Sequence, residues 1–134
     1  VPAQTQISVN DGKSTPVAHV FQPMGVNSGI ASYAETSSDG SLTKRNLLQF
    51  TQKLPGKGRS TVLEQFDLVV PYVVTESVNG VARDLVHSNV RFEVRMISDP
   101  AVPESVVNDV FAMGKNMLAV ADVKSAIVSR VGFN

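Results

Sequence analysis

From Asn89 to Met96 the chain alternates strictly, with Val90, Phe92, Val94 and Met96 set between Asn89, Arg91, Glu93 and Arg95. A period of two is the signature of a strand with one apolar and one polar face, because successive side chains of a strand point to opposite sides. Past Asp99-Pro100 the period changes, and Val106, Val110, Met113 and Met117 recur at spacings of three and four. Pro103 fits a first helical position, and Glu104 suits the positive start of a helix dipole. Asp122 is placed to cap a second, shorter helix carrying Val123, Ile127, Val128 and Val131, which Gly132 closes. A chain that switches period once implies an α+β fold: an N-terminal β-hairpin and antiparallel β-sheet meander followed by two C-terminal helices covering one sheet face.

The rest of the first three-quarters reads as further strands. Gln6–Val9 and Val17–Phe21 flank Asn10-Asp11-Gly12-Lys13, where Asp-Gly predicts a tight type I′ hairpin. A Pro/Gly-rich stretch from Pro23 to Gly29 precedes a short apolar piece, Ile30–Ala34, and Glu35–Ser41 is polar and turn-like. Asn46–Lys53 and Val62–Val70 follow, separated by the turn Leu54-Pro55-Gly56-Lys57-Gly58. Phe66, Leu68 and Val70 are expected inward, and Pro71 is expected to end regular pairing or to sit at an edge. Asn79-Gly80 predicts a second hairpin between Val73–Val78 and Val81–Val86.

At 134 residues and 14.3 kDa the chain has room for one core and not two, so residues 1–134 are expected as one domain, 1–98 forming the sheet and 99–134 the helices. Twelve basic and twelve acidic residues cancel. Zero net charge excludes a polybasic nucleic-acid condenser and favours association between copies. The balance is uneven along the chain. Gly40–Leu63 holds Lys44, Arg45, Lys53, Lys57 and Arg59 with no acid, while Glu93–Asp122 holds five acids. Alternation puts Arg45, Leu47, Gln49, Thr51 and Lys53 on one strand face, a polar, basic surface of the kind that meets phosphate with cations and base edges with amides. A solvated sheet face is polar in any case, and aromatic stacking residues are few: two tyrosines and no tryptophan.

Catalytic and metal chemistry finds little support. Without cysteine there are no disulfides, thiolate ligands or thiol nucleophiles. His19 and His87 have no second histidine or carboxylate at ligand spacing and read as structural. Pro55-Gly56-Lys57-Gly58-Arg59-Ser60 lacks phosphate-loop spacing, and no nucleophile elbow is present. No cofactor is expected, and the chain is not expected to be an enzyme. Val1–Asn10 has neither the charged nor the apolar region of a secretory signal, and no membrane span is expected.

Several strings together resemble the coat proteins of the single-stranded RNA bacteriophages, the leviviruses. The likeness lies in the opening Asp-Gly hairpin, Asn27-Ser28-Gly29-Ile30-Ala31-Ser32-Tyr33, Lys44-Arg45 leading into a strand, Val69-Val70-Pro71-Tyr72-Val73 through Ser77-Val78-Asn79-Gly80-Val81, and the alternation of Ser88–Met96. It runs in order along essentially the whole chain. The resemblance implies an interlocked homodimer whose two sheets join edge to edge, with each chain's helices packed over its partner. It implies a quasi-equivalent (T=3) icosahedral capsid around single-stranded genomic RNA, assembled in the bacterial host cytoplasm as the virion shell. It also implies an RNA hairpin bound to repress replicase translation. The RNA face it implies comprises Ile30, Lys44, Arg45, Leu47, Gln49, Thr51, Lys53, Gln65, Asp67, Asn89 and Arg91. The contacts between dimers would come from Glu76, Ser77, Val78, Asn79, Gly80 and Val81. This chain departs from the family at Asn89, where many relatives stack a tyrosine, at Leu47, often polar, and at Asp67, an acid on a face meant for phosphate. The rival expectation is a small dimeric RNA-binding regulator that never forms shells.

Overall fold

The computed structural model of the protein describes residues 3–35 and 44–133. Six strands, β1 (Ile7–Asn10), β2 (Ala18–Asn27), β3 (Ile30–Glu35), β4 (Leu47–Lys53), β5 (Val62–Val78) and β6 (Val81–Ser98), form one antiparallel sheet. Their order in space is their order in sequence. Helices α1 (Glu104–Leu118) and α2 (Ala121–Ser129) follow. The chain divides into two compact units, Val1–Ile97 and Ser98–Asn134. The fold class is α+β, as the change of period requires.

Cross-strand partners share a face, so the register locates the core of the sheet unit. Ile7 lies opposite Phe21, Tyr33 opposite Leu48, Leu48 opposite Leu68, and Ala31 and Phe66 flank Phe50. Phe21 is 1% exposed and clusters with Tyr33 and Leu48, with Ile7, Ala31, Phe66 and Leu68 packed around them. Aromatic rings continue this face across four strands. Tyr33 meets Phe50 edge-on at 6.2 Å, Phe50 lies 5.3 Å from Phe66, and Phe66 meets Phe92 edge-on at 6.4 Å, each within the range of favourable ring pairing.

Several local expectations need correction. The first hairpin is closed by the long connection Asp11–Val17 instead of a two-residue Asp-Gly turn. Asp11 Oδ1 accepts the Lys13 and Val17 N–H groups and organises the loop through its side chain. The Pro23–Gly29 stretch is strand. Met24 is an extra residue between the pairs Pro23–Tyr33 and Gly25–Ser32, a β-bulge that absorbs the proline. Gln4 repairs the ladder there: its amide donates to the Ser32 carbonyl at 2.6 Å, and its oxygen accepts the Gly25 N–H at 3.1 Å.

Pro71 does not end β5. Glu35 N–H donates to Asn46 and Gln52 N–H to Gly29, a phase that turns the odd residues of β4 and β5 toward each other. The last of these pairs is Leu47–Val69, so Pro71 points past the end of β4, where a missing N–H costs no ladder bond. Likewise β6 runs unbroken from Val81 to Ser98. Pro103 is the N-cap of α1 instead of its first residue, and its carbonyl accepts the Val106 and Val107 N–H groups. Asp122 lies inside the first turn of α2 and caps nothing, the N-cap being Val120; at the other end Arg130, at φ 61°, is the left-handed C-cap, and Gly132, at φ 74°, closes the helix with its N–H on the Ala126 carbonyl at 3.4 Å. The turn expected over Glu35–Ser41 lies, beyond Glu35, outside the described residues.

Two tight turns join the longer strands. Asn79 and Gly80, at φ 52° and 77°, form the predicted type I′ turn, and Ser28-Gly29, at 51° and 80°, forms another between β2 and β3. Gly29 is further constrained, because a Cβ there would lie 2.8 Å from the Gln52 carbonyl oxygen. Gly29→Ala is therefore expected to destabilise the protein by about 1–3 kcal/mol, read as a lowered urea midpoint. Ser28→Gly, which relieves a positive φ without adding atoms, should leave the midpoint level or raise it.

Candidate nucleic-acid interface

The face opposite the core is laid out by the same register. Asn27, Ile30, Thr51 and Gln65 form one row across β2 to β5. Gly25, Ser32, Gln49 and Asp67 form the next, and Gln22, Ala34, Leu47 and Val69 the third. Lys53, opposite Leu63, continues the face at the end of β4. Seven residues singled out in the sequence, Ile30, Leu47, Gln49, Thr51, Lys53, Gln65 and Asp67, are thus brought onto one surface. Its middle row is polar, and its third row is apolar apart from Gln22.

The remaining candidates sit around it. Lys44 and Arg45 lie in the short turn that leads into β4, both half-buried and both with interaction partners. Asn89 and Arg91 are exposed on β6. The Phe66–Phe92 contact places Phe92 on the aromatic face, so alternation puts Arg91 and Glu93 on the opposite one, where Arg91 Nη1 is paired with Glu93 Oε1 at 3.4 Å. Arg91 is thus a partly neutralised cation. Lys57 and Arg59 stand on the β4–β5 connection, a tight turn closed by reciprocal Gly56–Arg59 bonds of 2.9 and 3.0 Å.

On this face Asp67 is held by its own strand. The Gln65 side-chain amide donates to both carboxylate oxygens, at 3.0 and 3.2 Å, and both residues are half-buried. Sequence reasoning placed Asp67 on the face and missed this clamp. The signal was the spacing of two, which puts the side chains on one face next to each other.

His19, which has no carboxylate at ligand spacing in the sequence, is satisfied by two carboxylates distant along the chain. Its Nδ1 faces both oxygens of Glu35 at 2.8 and 3.0 Å, and its Nε2 faces Asp11 Oδ2 at 3.2 Å. The carboxylates come from the first hairpin loop and the end of β3, which sequence spacing alone could not bring together. Asn46 Nδ2 donates to Glu35 at 2.7 Å, and Lys13 pairs with Asp11 at 3.4 Å. The bonds to Asp11 and then Glu35 raise the His19 pKa, and the Val17 N–H foremost, with help from His19, lowers that of Asp11. The stabilisation from His19 is complete below its unfolded pKa near 6.5 and is lost as pH rises through its raised folded value. That from Asp11 is complete above about 3.8 and is lost as pH falls. Thermal stability should therefore peak between these limits, and His19→Gln should flatten its alkaline side.

The apolar counterpart lies elsewhere. β6 holds no buried residue: Val90 is 61% exposed, and Phe92 and Val94 are also open. The alternation had implied a buried face. Val106, Val110, Met113 and Met117 of α1 and Ile127 and Val128 of α2 are exposed as well, and neither helix has a buried residue. Among the described residues no group of histidine and acidic side chains is arranged to hold a metal ion, and no helix is long and apolar enough to cross a membrane.

Comparison with known proteins gives a consistent picture. The sequence pattern of the family described as levivirus coat protein matches residues 2–133. Among solved structures, the virus-like particle of bacteriophage ESE058 superposes with a TM-score of 0.86 at 18% identity, over 99% of this chain and 100% of that one. The virus-like particle of Beihai levi-like virus 21 gives 0.81 at 19% identity, over 99% of each chain. The capsid protein of bacteriophage GA gives 0.71 at 18% identity, over 96% of this chain and 95% of that one. No curated protein matches by sequence.

Proposed function

Since the chain belongs to the levivirus coat protein family and is a capsid component that associates with itself, we propose that two copies interlock as a homodimer and that such dimers close into an icosahedral, T=3 shell around single-stranded RNA. The observation that carries the dimer is the state of β6. It is an 18-residue strand at the end of the sheet, with large apolar side chains exposed along it. A long, apolar sheet edge offers unpaired backbone groups to any matching strand. A second β6 would satisfy them and double the sheet, and the apolar stripes of α1 and α2 would then find cover on the partner. One copy is thus incomplete on both counts, and a symmetric pair is the simplest complement.

The polar face of β3 to β5 is the proposed RNA surface, with Ile30, Gln49, Thr51, Lys53 and Gln65 upon it, Lys44 and Arg45 beside it, and Asn89 and Arg91 continuing it on β6. Repression of replicase translation through a bound hairpin belongs to the same proposal, as do the contacts between dimers at Glu76–Val81 and assembly in the host cytoplasm. The whole chain acts as one coat protein domain in this reading, with 99–134 locking the dimer.

Negative-stain microscopy of the expressed protein, with its absorbance ratio at nucleic-acid and protein wavelengths, tests the reading. Closed particles rich in nucleic acid are expected. Only soluble dimers at every protein and salt concentration would sink it in favour of a non-assembling RNA-binding regulator.

A further inference from the structure

We propose that Asp67 reads guanine on the polar face, an inference that rests on that face being the RNA interface. A carboxylate repels phosphate, so the row Ser32–Gln49–Asp67 is poorly suited to the RNA backbone and suited to a base edge. An ionised carboxylate only accepts hydrogen bonds, through two oxygens side by side. In the free protein the Gln65 amide nitrogen bridges both oxygens, at 3.0 and 3.2 Å, from the side on which their parallel lone pairs point, so it holds the seat of a two-donor partner and a guanine edge would displace it.

The Watson–Crick edge of guanine presents two adjacent donors, N1–H and N2–H, followed by the acceptor O6. No other standard base offers two neighbouring donors. Adenine and cytosine set a ring nitrogen acceptor beside their single amino group, which would face an Asp67 oxygen lone pair to lone pair. Uracil flanks its one N–H with two carbonyls. Gln49 is the direct cross-strand partner of Asp67, and its exposed amide can donate to O6 while Asp67 accepts from N1 and N2. The pair therefore complements all three positions of the guanine edge, and unpaired RNA bases are open to recognition on that edge. The acid that looked out of place on an RNA face becomes a specificity-determining residue.

The test uses purified dimers and fluorescein-labelled oligoadenylates carrying one central guanine, inosine or adenine, with affinity read by anisotropy over a salt series. Guanine is expected to bind on the order of tenfold more tightly than adenine. Inosine, which lacks the N2 amino group, should fall between them. Asp67→Asn, nearly the same in shape, should bring guanine and adenine to near parity, and Gln49→Met should reduce the preference in part. Equal, salt-sensitive binding of all three oligonucleotides by the unaltered protein would overturn the guanine assignment and leave the RNA face standing. A preference retained in Asp67→Asn would overturn it too. No binding of any oligonucleotide at any salt would overturn the RNA face itself, and this inference with it.

Discussion

Replacing Val110 and Met113 together by aspartate is expected to weaken self-association by about two to four orders of magnitude. Both side chains lie on the α1 stripe with Val106 and Met117, and both are largely exposed in the single chain. Burial of one such side chain contributes about 1.5–3 kcal/mol, so the pair accounts for about 3–6 kcal/mol of association, and each 1.4 kcal/mol is about tenfold. The buried charges would weaken it further. Since α1 has no buried residue, the substitutions remove no core contact within the chain, and far-UV circular dichroism should change little. Lys115 lies on the opposite side of α1, so Lys115→Glu serves as the control and should leave association intact. Sedimentation velocity distinguishes the outcomes. An unchanged dimer in the double variant would show that the stripe is not an interface.

The second large effect is expected at the far end of β5 and β6. Replacing Thr75–Asp84 by Asn-Gly leaves Val74 and Leu85 flanking a fresh type I′ turn, so the pairing phase of the hairpin is kept. The replacement removes the tip that carries Glu76–Val81 and the Thr75–Asp84 hydrogen bond of 2.7 Å. Tyr72 and His87, in edge contact at 5.8 Å, remain below the cut. Dimers should survive because β6 keeps the rest of its length, and closed shells should disappear because the proposed inter-dimer contact is gone. Electron microscopy beside size-exclusion chromatography reads both results. Shells of normal size from the shortened protein would remove the tip from the assembly mechanism.

What could be read from the sequence followed the range of the physics involved. The Asn79-Gly80 turn and the helical stripe Val106–Met117 depend on neighbours within a few residues, and both appear in the fold. Pro71 and Pro23 misled because a proline's cost in a sheet depends on what lies beside it. Pro71 points past the last residue of β4, and Pro23 sits at a bulge repaired by Gln4. Asp11-Gly12 misled for a related reason, since the Asp11 side chain found the Val17 N–H and drew the connection into a longer loop. In the candidate site, face membership was legible from alternation, whereas the row joining Ser32, Gln49 and Asp67 needed the register of three strands. The His19 clasp gathers groups from positions 11, 19, 35 and 46, too far apart for any spacing rule.

The strand order carries a consequence for how the protein is made. Among the described residues every strand pairs only with its neighbours in sequence, so each new ladder closes a short loop, and short-range contacts form faster than distant ones. During synthesis the sheet can zip up hairpin by hairpin, beginning with β1 and β2. The strand with the open apolar edge is the last to leave the ribosome. By the time β6 is available to another molecule, the five strands before it have had time to settle. That ordering withholds the proposed pairing edge from nascent neighbours on the same messenger until there is a folded sheet behind it, and so separates folding from assembly in time.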